Sequence, residues 1–291
     1  MQPPFPCPTT VWHNDTYEAI SPFRPELSAA GKTVVIIGAG SGVGRATALA
    51  FAAAGAAHIA LLGRTEATLM ETAALIALTG SKASYLFYET DLTKAEILES
   101  AAAAVGKWHV LVFSSAYCPT LSPLASTDVD DWWKGFETNV KGTLLATKAF
   151  LPTADPTQAA ILGITTDVSL MPVTFLPGLS SYTASKLAQA KVYEFLAAEN
   201  PHIFVATVNP GMIETKNFYR TGGDPEKLPM DTVQLPAHFL VWMASPEASF
   251  LRGRCTWANW DVDELKAKKS AIADGLFMTA GFKGLPEGAH L

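Results

Sequence analysis

Tyr182 and Lys186 stand four residues apart in Ser181-Tyr182-Thr183-Ala184-Ser185-Lys186-Leu187-Ala188-Gln189-Ala190. The stretch reads as helix, and residues i and i+4 share one helical face, so a phenol and an ammonium can meet in one pocket. A free tyrosine titrates near ~10. A neighbouring cation favours phenolate and brings the group toward proton donation and acceptance near neutral pH. Most Tyr/Lys pairs at this spacing are solvated surface residues, so the pair carries meaning only with a second feature beside it.

That feature lies near the N-terminus. Lys32-Thr33-Val34-Val35-Ile36-Ile37 is a short apolar, β-branched run that reads as a buried strand. It meets Gly38-Ala39-Gly40-Ser41-Gly42-Val43-Gly44, and an Ala-rich helical stretch follows until Gly55. Strand, glycine turn and helix N-terminus make an anion site, in which backbone N–H groups and the positive end of the helix dipole face a pyrophosphate. The common G-x-G-x-x-G spacing fails because position 43 is Val; the glycines at 38, 42 and 44 give G-x-x-x-G-x-G.

Taken together, these features resemble the short-chain dehydrogenase/reductase family, from about Gly31 to Val262. Asn139-Val140-Lys141-Gly142 is similar to its Asn-bearing helix, and Asn209-Pro210-Gly211-Met212-Ile213-Glu214-Thr215 to its Pro-Gly segment after a strand. Trp12-His13-Asn14-Asp15-Thr16-Tyr17 and Trp257-Ala258-Asn259-Trp260-Asp261 resemble fungal members with an N-terminal extension. The resemblance implies a single-domain, Rossmann-like α/β fold, a doubly wound parallel sheet flanked by helices over residues 31–291. Residues 1–30, rich in Pro and polar groups, are expected to wrap its surface.

The resemblance also implies roles. Tyr182 is the acid/base; Lys186 lowers the Tyr pKa and bonds the nicotinamide ribose; Asn139 supports a water and proton relay behind Lys186. Cofactor contacts fall on Gly38, Gly40, Ser41, Gly42, Val43, Gly44, Asp91, Ser114, Lys186, Pro210, Gly211, Ile213 and Thr215. At the end of the second strand, Gly63-Arg64 replaces the acid that pairs with a ribose 2′-OH. A guanidinium suits a 2′-phosphate, so NADP(H) is favoured over NAD(H). Asp91 matches the acid beside the adenine, and an Asx turn opening the next helix is compatible with that.

Three positions depart from the family. Its serine is replaced by Thr166 when Ala159 to Thr166 is laid on the strand, whereas counting back thirteen from Tyr182 gives Ser169; the first alignment is preferred and the second stays open. Either hydroxyl can orient a carbonyl oxygen. Phe113-Ser114-Ser115-Ala116 stands where Asn-Asn-Ala-Gly is usual, and Ile37 where a Thr precedes the first glycine. The expected activity is hydride transfer between nicotinamide and a carbonyl or secondary alcohol. The departures motivate two alternatives, a redox-neutral isomerase or cyclase and a non-catalytic NADP-binding regulator. Met212, Ile213, Phe218, Tyr219, Phe175, Leu176 and Tyr117 are expected at the substrate mouth, with Gly222-Gly223 as a hinge. Such a lining suits a mostly apolar small molecule. Trp132-Trp133 reads as helix packing.

Composition agrees. A chain of 291 residues with 49% hydrophobic content supports a large core. A net charge of −6 gives no footprint for nucleic acid. Cys7, Cys118 and Cys255 are few and scattered, which fits a reducing, cytoplasmic setting. The start, Met1 to Pro6, lacks the pattern of a secretory signal. Residues 46–63 read as helix, turn and strand rather than a membrane span. The six histidines, from His13 to His290, show no metal spacing. Strands are expected at 34–37, 58–62, 84–88, 110–114, 160–165, 204–209 and 254–258, and helices at 42–54, 66–79, 94–105, 129–150, 182–199 and 236–244. The helix at 182–199 is more apolar than one buried stripe requires, which points to a homodimer or homotetramer.

Overall fold

The computed structural model describes residue 3, residues 7–169 and residues 171–281. Most of the Met1 to Pro6 start and His290 lie outside the described residues. Seven parallel strands form one sheet: β1 (Thr33–Ile37), β2 (His58–Gly63), β3 (Ser84–Glu89), β4 (Val110–Phe113), β5 (Ala160–Ile164), β6 (Phe204–Asn209) and β7 (Cys255–Trp257), in the order β3-β2-β1-β4-β5-β6-β7. The inner strands are covered on both faces, which is why they read as unbroken apolar runs. Val34 and Ile36 enter one core, with Phe51, Phe239 and Trp242; Val35 and Ile37 enter the other, with Phe150, Leu196 and Trp108.

The first core is closed by α1 (Gly42–Ala53), α2 (Glu66–Leu78) and, later in the chain, a helix at Gln234–Met243. The opposite face carries α3 (Ala95–Val105), α5 (Gly142–Phe150) and α6 (Ser180–Glu199), with α4 (Val129–Phe136) packed against α6. The helix expected over 129–150 is divided: Glu137–Lys141 forms a π-helical turn between α4 and α5. A further helix, α7 (Lys216–Arg220), stands where a loop was expected; the Gln234–Met243 helix is α8, followed by α9 (Val262–Ala267) and α10 (Lys269–Asp274).

The strand order reverses between β1 and β4, which opens a crevice at the carboxyl ends of these strands, where ligands of such sheets bind. The N-terminal segment does more than lie on the surface, since Trp12, Ile20 and Leu27 are buried in the first core. No helix among the described residues is long and apolar enough to cross a membrane.

Candidate active site

The glycine turn sits in that crevice, and each glycine is needed for its own reason. Gly38 and Gly42 adopt φ of +92° and +52°, the left-handed region that glycine tolerates. A Cβ on Gly44 would collide with the Gly38 carbonyl, and one on Gly40 with the Thr68 hydroxyl. Backbone therefore approaches backbone, and the Gly38 and Ala39 N–H groups tie the start of the turn to Leu62 O on β2. Ser41 is the N-cap of α1 but makes no side-chain cap bond, and the first turn holds no acid. The orphan N–H groups of a twelve-residue helix thus face the crevice uncapped. This cradle fits the pyrophosphate of a dinucleotide.

Two other expected cofactor residues, Ser114 and Thr215, pack against this turn. Ser114 N donates to Ile37 O at 2.8 Å, and the Ser114 Cβ lies 3.2 Å from where a Gly44 Cβ would stand. The loop after β6, carrying Pro210, Gly211, Ile213 and Thr215, folds back so that the Thr215 methyl would be 3.0 Å from a Gly42 Cβ. Val43 and Ile213 are buried. Arg64 is exposed just beyond β2, and its charge reaches Asp91. Asp91 Oδ1 accepts from the Thr93 N–H (2.9 Å) and hydroxyl (2.8 Å). Burial pushes the Asp91 carboxyl up, but the two Thr93 donors, Arg64 and Lys94 outweigh it and hold it below the usual carboxylate range.

The sheet-facing side of α6 buries Tyr182, Ser185, Lys186, Gln189 and Tyr193. These are spaced by three or four residues, so one face carries them all. Gly163 on β5 leaves room for the Tyr193 ring, which a Cβ would strike. Lys186 Nζ donates to Ile164 O and to Gln189 Oε1, both at 2.7 Å. Complete burial drops the Lys186 pKa to about 7. Asn139 lies in the π-helical turn. Its Oδ1 accepts from Tyr117 N (2.8 Å), and its Nδ2 donates to Tyr117 O and Ser185 Oγ (both 2.9 Å). The side chain thereby pins the segment after β4 to α6. Its backbone carbonyl accepts from Thr143 Oγ1 (2.8 Å), which accepts from Gln189 Nε2 (2.8 Å). Lys186 and Asn139 are thus linked through two buried side chains, Gln189 and Thr143. Neither was singled out in the sequence, although Gln189 shares the Lys186 face at i+3 and Thr143 stands at i+4 from Asn139.

Thr166 and Ser169 occupy one turn beyond β5. Ser169 Oγ donates to Thr166 O at 2.8 Å, while Thr166 Oγ1 accepts from Val168 N at 3.4 Å. Cys118, Leu179 and Tyr182 form a small apolar cluster with Ala116, Val168 and Leu176 beside it. Over this wall lies α7. Asn217 Nδ2 donates to the Tyr182 hydroxyl oxygen at 3.0 Å, a contact between residues 35 apart that no local spacing announces. Arg220 stacks over the Tyr117 ring at 5.3 Å. Phe218 is buried, whereas Tyr219 and Phe175 are exposed. Gly222 (φ +80°) ends α7, and Gly223 is pressed against the Phe218 ring, so this pair packs the loop. Trp132 Nε1 donates to Ser180 Oγ at 3.0 Å, joining α4 to α6. Among the described residues no group of three acids, histidines or cysteines is placed to hold a metal.

The family model described as short chain dehydrogenase matches residues 32–224. A short chain dehydrogenase/reductase of Claviceps purpurea is 36% identical over 283 residues, covering 95% of this chain and 94% of that protein. A short chain dehydrogenase of Monascus purpureus is 33% identical over 272 residues, covering 90% and 92%. Among solved structures, a short chain dehydrogenase from Pseudomonas syringae superposes with a TM-score of 0.72 at 26% identity, over 81% of this chain and 97% of that one. One from Shigella flexneri, complexed with NADP, gives 0.71 at 22% identity over 81% and 99%, a likeness of fold.

Proposed function

The chain belongs to the short-chain dehydrogenase/reductase family, and we propose that it is an NADP(H)-dependent oxidoreductase acting on a carbonyl or secondary alcohol of a mostly apolar small molecule. The observation that carries this reading is the buried α6 face with Tyr182 and Lys186, the latter bonded to Ile164 O at the end of β5, in the same sheet whose β1 ends in the uncapped glycine turn. When bound, the nicotinamide supplies or accepts the hydride. Everything else falls to the protein.

In this reading, Tyr182 gives or takes the proton at the substrate oxygen. Lys186, fixed by Ile164 O and Gln189, presents a cation to the phenol and to the ribose. Thr166 or Ser169 orients the oxygen, and Asn139 holds the Tyr117 backbone and α6 in register. The apolar wall of Cys118, Leu179 and Leu176 accounts for an apolar substrate. Arg64, exposed at the crevice rim beside Asp91, supports the 2′-phosphate assignment; a solved relative of the same fold was itself complexed with NADP.

The test is NADPH oxidation against a panel of apolar ketones and aldehydes, with Tyr182→Phe alongside. Wild type should turn over at least one member, and the variant should lose roughly 10²–10⁴-fold in kcat with cofactor affinity nearly intact. Activity of the variant within a few-fold of wild type would remove Tyr182 from the reaction. Product formation without net NADPH loss would favour a redox-neutral enzyme instead.

A further inference from the structure

Trp12-His13-Asn14-Asp15-Thr16-Tyr17 and Trp257-Ala258-Asn259-Trp260-Asp261 lie at opposite ends of the chain and meet in the fold. Trp12 and Trp260 form an antiparallel bridge. His13 N donates to Asn259 O, and Asn259 Nδ2 to His13 O, both at 2.8 Å. The His13 ring stacks on Tyr17 at 3.5 Å, and its Nε2 lies 2.9 Å from Asp261 Oδ2.

The joint continues into the cofactor side of the crevice. Asn14 Nδ2 donates to Asp231 Oδ1 at 2.6 Å, and Thr232 N to Asn14 O at 2.9 Å. The other Asp231 oxygen accepts from Met212 N at 2.7 Å, and Asp231 N returns a bond to Met212 O at 2.8 Å. Gly211, at φ +83°, has its α-carbon against the same groups: a Cβ there would collide with Asp231 Oδ2 and stand 2.9 Å from Asn259 Oδ1. The loop backbone therefore rests directly on Asp231 and Asn259. Burial raises the Asp231 carboxyl above the usual range, against the pull of its Met212, Asn259 and Asn14 donors. A carboxylate shared by an amide side chain and a backbone N–H joins them by charge-assisted bonds, and losing one partner leaves the others under-satisfied.

We propose that Asn14 and Asp231 are positioning residues for the cofactor: through Met212 they hold the 210–215 loop so that Ile213 and Thr215 face the glycine turn. What the loop grips rests on the oxidoreductase reading; the clamp itself does not. Asn14 is only half-buried, so Asn14→Ala should fold. Asp231→Ala removes both acceptors, and Asp231→Asn keeps one carbonyl oxygen.

Hydrogen exchange of the cofactor-free protein is the first measurement. Peptides covering 210–215 should exchange about tenfold faster in Asn14→Ala and faster still in Asp231→Ala, with β1 and β4 peptides unchanged. The second is the NADPH dissociation constant by fluorescence, which should rise about tenfold in Asn14→Ala. Asp231→Asn should recover part of what Asp231→Ala loses. Unchanged exchange and affinity in Asn14→Ala overturn the proposal, as does faster exchange spread over the whole sheet, which would mean general support of the fold. If wild type binds neither NADPH nor NADH, the functional reading fails while the exchange measurement still decides the clamp.

Discussion

A buried ammonium whose ionisation is this displaced leaves a thermodynamic trace. Burial lowers Lys186 to about 7, whereas the unfolded chain should titrate near ~10.4. Between those values the unfolded state binds a proton that the folded state has released, so Lys186 makes stability rise with pH across that window. Below about pH 7 both states are protonated and the full cost of burying the charge is present. Lys186→Met removes this contribution. The difference in melting temperature between wild type and Lys186→Met, taken without cofactor, should move in favour of wild type from pH 7 to pH 10. A difference that stays flat would mean that the lysine keeps its charge in the fold. The missing serine is also decided at single residues. Ser169 already donates its proton to Thr166 O, so its hydroxyl is committed within the turn. On the preferred strand alignment, which puts Thr166 at the serine position, Thr166→Val should lower kcat/KM by at least tenfold and Ser169→Ala by much less. The opposite order would assign the substrate oxygen to Ser169.

At the scale of elements, the proposed preference for NADP(H) rests on the residue that follows β2. Arg64 lies just past Gly63, and its charge reaches Asp91 beyond β3. Arg64→Ala should weaken NADPH binding about tenfold and leave NADH nearly unchanged, since only the former carries the extra phosphate. Equal losses, measured as dissociation constants, would reject the 2′-phosphate contact. The same strands show what a sequence can disclose. A parallel strand covered on both faces tends to be apolar throughout, so runs such as Val34 to Ile37 and Val110 to Phe113 announce themselves, and the glycine turn follows from the strand it ends. Other elements gave no such signal. The apolar pattern across 129–150 is continuous, so the π-helical turn holding Asn139 is silent in it. Lys216–Arg220 is too short for a helical period to emerge. Trp12, Ile20 and Leu27 are core residues separated by polar ones with no period, so their burial depends on partners far along the chain. For the same reason the Asn217–Tyr182 contact belongs to tertiary structure alone.

For the molecule as a whole, the remaining question is what covers its apolar helices. Single exposed apolar residues are ordinary on soluble proteins, whereas a contiguous group on one surface is not. Val129 is 73% exposed and Trp133 54% on α4, Leu144 51% on α5, and Leu187 41% and Phe195 60% on α6. α4 packs against α6, and the inner sides of α5 and α6 already fill the second core. The edge beyond β7 is engaged differently: Cys255 N donates to Met278 O at 2.8 Å, so a tail segment occupies the hydrogen-bonding side that another copy would need. Together these features favour a two-fold pairing through α4, α5 and α6, with helix against helix and no sheet continued across the interface. Light scattering at micromolar concentration should give twice the chain mass of 31.0 kDa. Placing a charge in the face, as in Leu144→Glu combined with Phe195→Glu, should halve that mass. Because both positions are exposed in the single chain, the fold should survive, with a circular dichroism spectrum unchanged from wild type. A wild-type protein that stays monomeric and fully active would refute the pairing, and a fourfold mass that survives the double substitution would place the interface elsewhere.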